Sequence, residues 1–341
     1  MFEKLIGNDD IKVLLQRLAA SQRVPQSMLL TGPEGVGKKL FAFELARILM
    51  CVDGGCVQCS VCSRIGIFDI PKEERPDDFK RVFLSGHPDV GMVVPYKRNI
   101  LVDAIRGLET EANFRPFESE KRIFVIDDAD KMNDNAANAL LKTLEEPSST
   151  TYLILVTSRR DALLQTIRSR CQNIRFAPVA APVIEKLLVS TGKFSAYDAS
   201  LTARVSGGSP GKALALDLPW FRQTRDSMVE VIRAGLTSGN LSALLQISEQ
   251  MNDAKNKDRY EDTIAILETL VRDVLALSKG VDRTLITNAD ISDNLLKFGS
   301  EATTSKIERW INEIEELQFN YLVNINRKVA TDGLFVKMVG A

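Results

Sequence analysis

The 341 residues predict an α/β fold built on a parallel sheet of phosphate-loop type, followed by a C-terminal part that is helical throughout. Three observations carry this. A short apolar run at residues 123–126 stops at Asp127 and Asp128. It is rich in β-branched and aromatic residues, without polar alternation, which suits a strand buried on both faces. Residues 27–31 form a second strand pattern that runs straight into Gly32-Pro-Glu-Gly-Val-Gly-Lys38-Lys39 and then into the helical spacing Leu40, Phe41, Leu45, Ile48, Leu49. From Phe221 onward only helical periodicity remains, with breaks near Gly239, Lys255 and Gly280.

The elements follow in order. Residues 8–20 read as a first helix, with Ile11, Leu14, Leu15 and Leu18 on one face and Asn8 as its expected cap. The glycine loop and its helix come next, then a cluster of cysteines. Residues 66–86 are polar and charged and read as a surface excursion. His87-Pro88-Asp89 leads into a strand at 90–94; His87 is the single histidine, and a turn role suits it better than catalysis. A helix is expected at 100–112, facing Ile105 and Leu108 inward. After the acid-tipped strand, Ala137, Leu140, Leu141 and Leu144 mark a helix capped by Asn133 or Asp134 and stopped by Pro147. A buried strand at 152–157 ends on Thr157. A short helix over 161–167 leads to Ser169-Arg170-Cys171, a last strand lies at 174–176, and Pro178 and Pro182 close this part. Residues 183–217 are helical around the turn Ser206-Gly207-Gly208-Ser209-Pro210-Gly211-Lys212, and the last helical stretch carries Asn324 and Asn326.

Composition narrows the function classes. Lys and Arg number 44 against 45 Asp and Glu, a net charge of −1, so the chain does not hold nucleic acid alone by counterion release. Any DNA contact is expected to be local or shared with partner subunits. No apolar run reaches the roughly 18 residues of a membrane span, and the N-terminus lacks a signal-peptide core. A cytoplasmic protein without membrane attachment is expected. The length accommodates two or three domains.

Two motifs carry chemistry. Backbone N–H groups of a glycine-rich loop at a helix N-terminus bind phosphate, with the helix dipole adding to the attraction. Here Gly32, Gly35 and Gly37 allow the tight path and Lys38 supplies a charge for terminal phosphates. The position after it, usually the Ser/Thr that ligates Mg²⁺, is Lys39, and an ammonium cannot replace that hydroxyl. Four of the five cysteines follow as Cys51-x4-Cys56-x2-Cys59-x2-Cys62. Four thiolates within twelve residues can surround one tetrahedral Zn²⁺, which leaves no open position for catalysis; free thiols or an iron–sulfur cluster are the alternatives.

The ordered set of motifs resembles the AAA+ ATPases and, more narrowly, the bacterial clamp-loader subunits. The cysteine module after the first loop helix, His87-Pro88-Asp89, the stretch from Asn138 to Pro147, and Ser169-Arg170-Cys171 carry the resemblance, strongly over residues 1 to about 215. It implies an AAA+ core with its zinc module at 1–178, a small helical lid at 179–219 and a helical collar at 220–341. It also implies roles: Lys38 as the phosphate lysine, Asp127 as the magnesium-associated acid, Asp128 at the general-base position, Thr157 as first sensor, and Arg170 as an arginine finger donated to nucleotide on a neighbour. The implied partners are other clamp-loader subunits in a ring, the sliding clamp and primer–template DNA.

The departures point to one kind of subunit. Lys39 stands at the hydroxyl position, Asp128 is shorter than the usual Glu, and Gly211 stands where ATPase subunits place an arginine, beside Lys212. The finger Arg170 is intact. This combination resembles a stator subunit that contributes a finger and hydrolyses little ATP, and its Gly-Lys dipeptide leaves ATP binding open. The competing expectations are an ATP-hydrolysing motor subunit of the same machine, a P-loop kinase, and a zinc-dependent DNA-binding regulator. Clustered lid arginines and a basic recognition helix, which the last two require, are not found in the sequence.

Overall fold

A computed structural model describes residues 2, 5–236, 241–253, 256–321 and 326–340. Gly239, Lys255, Asn324 and Ile325 lie outside the described residues. The chain divides into two compact units, residues 1–190 with 207–214, and residues 191–206 with 215–341.

The first unit begins with α1 (Asp9–Ala20), β1 (Ser27–Thr31), α2 (Lys38–Met50) and the short α3 (Ser60–Arg64). It continues with β2 (Phe83–Leu84), β3 (Val90–Val93), α4 (Val102–Ala112), β4 (Arg122–Ile126) and α5 (Asp134–Glu145). Then come β5 (Thr151–Thr157), α6 (Gln165–Arg168), β6 (Gln172–Arg175) and α7 (Ala181–Ser190). The six strands form one sheet in the order β2-β3-β4-β5-β1-β6. All pairs are parallel except β2–β3. Every residue of β1 and β4 is buried, as their unalternating apolar patterns require. Leu29 sits opposite Leu155, and Phe124 opposite Leu153. Helices α4 and α5 cover one face through Ile105, Leu108, Leu140 and Leu144. Strands β4, β5 and β1 are neighbours, so residues just past their carboxyl ends share one edge of the sheet, where open parallel sheets bind ligands.

Four sequence expectations change here. Asn8 does not cap α1 with its side chain; its backbone is left-handed, and its amide instead exchanges two hydrogen bonds with the backbone of Ala177. Residues 66–86 are not wholly a surface excursion: Phe79 and Phe83 are buried, and β2 adds an antiparallel edge strand. The helix expected over 161–167 is two single turns, Arg160–Ala162 and α6, because Leu163 turns inward between them in an extended conformation. The last strand begins two residues earlier than expected, at Gln172. Asn133 is the residue that caps α5, accepting from the Ala136 N–H.

His87 serves the turn, as expected. Its Nδ1 accepts from the Asp89 N–H and its Nε2 lies 3.2 Å from Ser119 Oγ. Burial, then the nearby Arg64 guanidinium, hold its pKa below the ordinary value. The buried Asp89 carboxylate accepts three backbone N–H groups, from Phe117, Glu118 and Ser119. Arg122 enters β4 fully buried, paired with Glu111 at 2.8 Å and with Asp89 at 3.6 Å.

The glycine turn 207–211 also belongs to the first unit and opens α9 (Pro210–Ala215), which follows α8 (Ala196–Val205) in the chain. The second unit is all helical: α8, then α10 (Leu218–Leu236), α11 (Leu241–Asn252), α12 (Tyr260–Ser278), α13 (Ser292–Glu301), α14 (Thr304–Tyr321) and α15 (Arg327–Val339). Helix α12 is its centre and packs against α10, α13 and α14. Its Ile264, Leu267, Leu270, Val271 and Val274 are buried, the one-face spacing that defines a core helix. Gly280 follows this helix in a left-handed conformation, and Asn326 caps α15 by accepting from Val329 N–H. No helix of the described residues is long and apolar enough to cross a membrane.

Candidate functional site

The glycine loop lies between β1 and α2. Gly35 and Gly37 take positive φ, 70° and 102°, where a side chain would be strained. Gly35 is also closely covered: a Cβ there would lie 2.3 Å from Ser209 Oγ. The Gly211 N–H donates to the Gly35 carbonyl at 2.9 Å, so the turn 207–211 packs directly on the loop. Gly32 is crowded by the Phe176 carbonyl, 2.5 Å from where its Cβ would stand.

The loop lysine points back into its own loop. Lys38 Nζ donates to the Gly32 and Pro33 carbonyls, both at 2.7 Å, and is almost fully buried. Burial pushes its pKa below the ordinary value, against the pull of the carboxylates of Asp128, Asp127, Glu34 and Asp130. Each of those four carboxylates has a cation of its own. Asp127 pairs with Lys39 at 2.7 Å, and Asp128 with Lys131 at 2.8 Å. Asp130 pairs with Arg159 at 2.8 Å, and Glu34 with Lys212 at 3.4 Å. Thr157 is engaged too: its hydroxyl donates to Asp130 and accepts from the Arg159 N–H.

The Mg²⁺ that this kind of loop implies does not fit these residues. A hard divalent cation needs oxygen acceptors, and position 39 offers three N–H donors instead. The carboxylate best placed to assist, Asp127, already binds that ammonium. The expected roles of Asp127 as metal-associated acid and of Thr157 as an open sensor therefore meet side chains that are internally satisfied.

Arg170 lies just before β6, away from the glycine loop's cluster of ion pairs. Its guanidinium pairs with Glu145 at 2.6 Å and donates to the Thr166 carbonyl. Both partners are substantially exposed. Glu145 ends α5, where an acid opposes the helix dipole, and Arg170 is the cation that offsets it. The neighbouring Cys171 is buried, which raises its thiol to about 12, so it is a packing residue rather than a redox centre.

The cysteine module forms between α2 and α3. Sγ atoms of Cys51, Cys56, Cys59 and Cys62 all lie within 4.8 Å of one another, the one such group among the described residues. The N–H of Cys59 donates to Cys56 Sγ and that of Cys62 to Cys59 Sγ, as in turns that wrap a metal. Burial raises Cys51, but the N–H groups of Cys56 and Gly55, then the Cys62 side chain and the Asp53 N–H, outweigh it and bring the thiol down to about 6. Cys62, the more enclosed, is pushed up to about 12, mainly by burial. Four converging sulfurs with N–H donors directed at them can hold a metal ion.

Comparison with known proteins decides the family. The model described as "DNA polymerase III, delta subunit" matches residues 7–180, just over half the chain. The chain is 29% identical to DNA polymerase III subunit delta' of Bacillus subtilis, over 92% of this chain and 90% of that one. The chain belongs to the DNA polymerase III delta-prime family. A second delta-prime relative, from Escherichia coli, is 27% identical over 95% of this chain and 92% of its own length. The B. subtilis tau subunit is 26% identical over 78% of this chain, but over only 46% of tau. The resemblance drawn from the motifs thus holds at family level, and the delta-prime chain has both the parallel-sheet core and the helical C-terminal part expected of it.

Sequence reasoning missed the partners that neutralise the site. Asp130 and Lys131 were legible as positions three beyond Asp127 and Asp128, but a one-turn helix after β4 decides which groups meet. Arg159 belongs to no motif, and its pairing with Asp130 depends on β4 and β5 being neighbours in the sheet. Glu34 lies inside the glycine loop, but its partner Lys212 comes from the turn that packs on that loop.

Proposed function

We propose that this delta-prime chain is a non-hydrolysing stator of a cytoplasmic DNA polymerase III clamp loader. In a hetero-oligomeric ring with tau/gamma- and delta-type subunits it helps place the sliding clamp on primed DNA. The observation that carries the reading is a contrast. The carboxylates around its own glycine loop are each spent on an internal cation, whereas Arg170 rests on an exposed glutamate at the surface. A guanidinium delivered to the γ-phosphate of a neighbouring subunit stabilises charge as it spreads during phosphoryl transfer. Exchanging Glu145 for that phosphate exchanges one anion for another, so Arg170 changes partner without becoming an unpaired charge.

Within this proposal Gly32, Gly35, Gly37 and Lys38 remain a phosphate-binding loop, and Asp127, Asp128 and Thr157 are a degenerate hydrolytic set. The functional parts are residues 1–178 as core, 179–219 as lid and 220–341 as collar. The metal of Cys51, Cys56, Cys59 and Cys62 is Zn²⁺ with a structural role, supplying cross-links that tie the ends of a twelve-residue excursion. The test is reconstitution. The purified chain is expected to show no steady-state ATP turnover, and to restore clamp loading to a complex of the other subunits that lacks it. Turnover by the isolated chain that Lys38→Ala abolishes would instead identify a motor subunit.

A further inference from the structure

The ion pairs around the glycine loop assign Lys39 a task beyond the absence of hydrolysis. We propose that Lys39 is a built-in counter-cation that takes the place of a divalent metal, so that this loop binds the polyphosphate of a nucleotide free of Mg²⁺. The inference rests on the reading of residues 32–39 as a phosphate loop, and not on the clamp-loader role.

Lys39 is the first-turn residue of α2 next to Lys38, and its Nζ lies 2.7 Å from Asp127 Oδ2. Its side chain is 45% exposed and that of Asp127 is 16% exposed, so the ammonium is the solvent-facing member of the pair. To enter, Mg²⁺ would have to take Asp127 from Lys39 and then sit beside the displaced ammonium. No uncommitted carboxylate stands ready to offset that: Asp128, Asp130 and Glu34 are each paired with Lys131, Arg159 and Lys212. A metal-free polyphosphate meets the opposite situation. Lys39 can turn from Asp127 to a phosphate oxygen, and Lys38 can exchange the Gly32 and Pro33 carbonyls for another. Two ammonium groups at a helix N-terminus supply the charge that Mg²⁺ otherwise supplies.

The test is equilibrium binding of ATP to the full chain, in Mg²⁺ and then in EDTA, for the wild type, Lys39→Thr and Lys38→Ala. The wild type is expected to keep its affinity within about threefold when EDTA replaces Mg²⁺. Lys39→Thr restores a hydroxyl and frees Asp127, and it is expected to lose about tenfold or more in EDTA. Lys38→Ala is expected to lose binding under both conditions while retaining the wild-type circular dichroism spectrum. Wild-type binding that collapses in EDTA would overturn the assignment of Lys39 and leave the phosphate-loop reading standing. No ATP binding by the wild type in either condition would overturn both, and leave the reconstitution test of the clamp-loader role unaffected.

Discussion

At the level of single residues, charges that hold the fold differ in setting from the one proposed to act. Arg122 is of the first kind. It is fully buried at the start of β4, between Glu111, Asp89 and the Phe117 and Phe124 rings. Removing Arg122 leaves the fully buried Asp89 carboxylate without its guanidinium and Glu111 without its partner, which costs more than the pair itself contributes. Arg122→Ala is expected to destabilise the first unit by about 3–5 kcal/mol in urea unfolding. A change below about 1 kcal/mol would show that water reaches the cluster. This residue was not legible in the sequence, where Lys121-Arg122 reads as an ordinary charged strand edge. Its burial follows from α4 and the 117–119 turn closing over the strand end. Arg170 is proposed to be of the second kind, and it could be singled out from the sequence because its Ser-Arg-Cys setting is local. Its resting partner Glu145 was visible only as an acid at the wrong end of a helix.

At the level of elements, the strongest sequence signals were those that need no knowledge of neighbours. The strand–loop–helix at 27–50, the acid-tipped β4 and the capped α5 stand where pattern placed them. The two-residue β2 and the split turn at 160–168 were missed because they exist only through pairing with β3 and inward packing of Leu163. The cysteine module is the clearest local element. Its sulfurs already converge, so metal uptake needs little rearrangement. Purified chain is expected to carry about one Zn²⁺ per molecule. Cys59→Ser is expected to lose most of that metal. Because the module lies outside the sheet, the variant should keep its far-ultraviolet circular dichroism while residues 51–65 become sensitive to protease. Full metal content in Cys59→Ser would remove that residue from the ligand set.

At the level of the whole molecule, an ATPase frame is retained while its own acids are neutralised from within. The sequence showed the three departures, Lys39, Asp128 and Gly211. It did not show that Lys39 reaches Asp127, 88 positions away, or that Gly211 packs against Gly35. Those contacts turn missing parts into an alternative arrangement: a loop covered by its own glycine turn, and an Asp127 carboxylate held by Lys39.

The most direct measurement of this account is the ATPase of a reconstituted clamp loader, stimulated by clamp and primed DNA, with this chain as wild type, Lys38→Ala or Arg170→Ala. The account predicts that Lys38→Ala leaves turnover unchanged, whereas Arg170→Ala assembles normally and slows the adjacent active site on the order of 10³-fold. Wild-type turnover in the Arg170→Ala complex would contradict it.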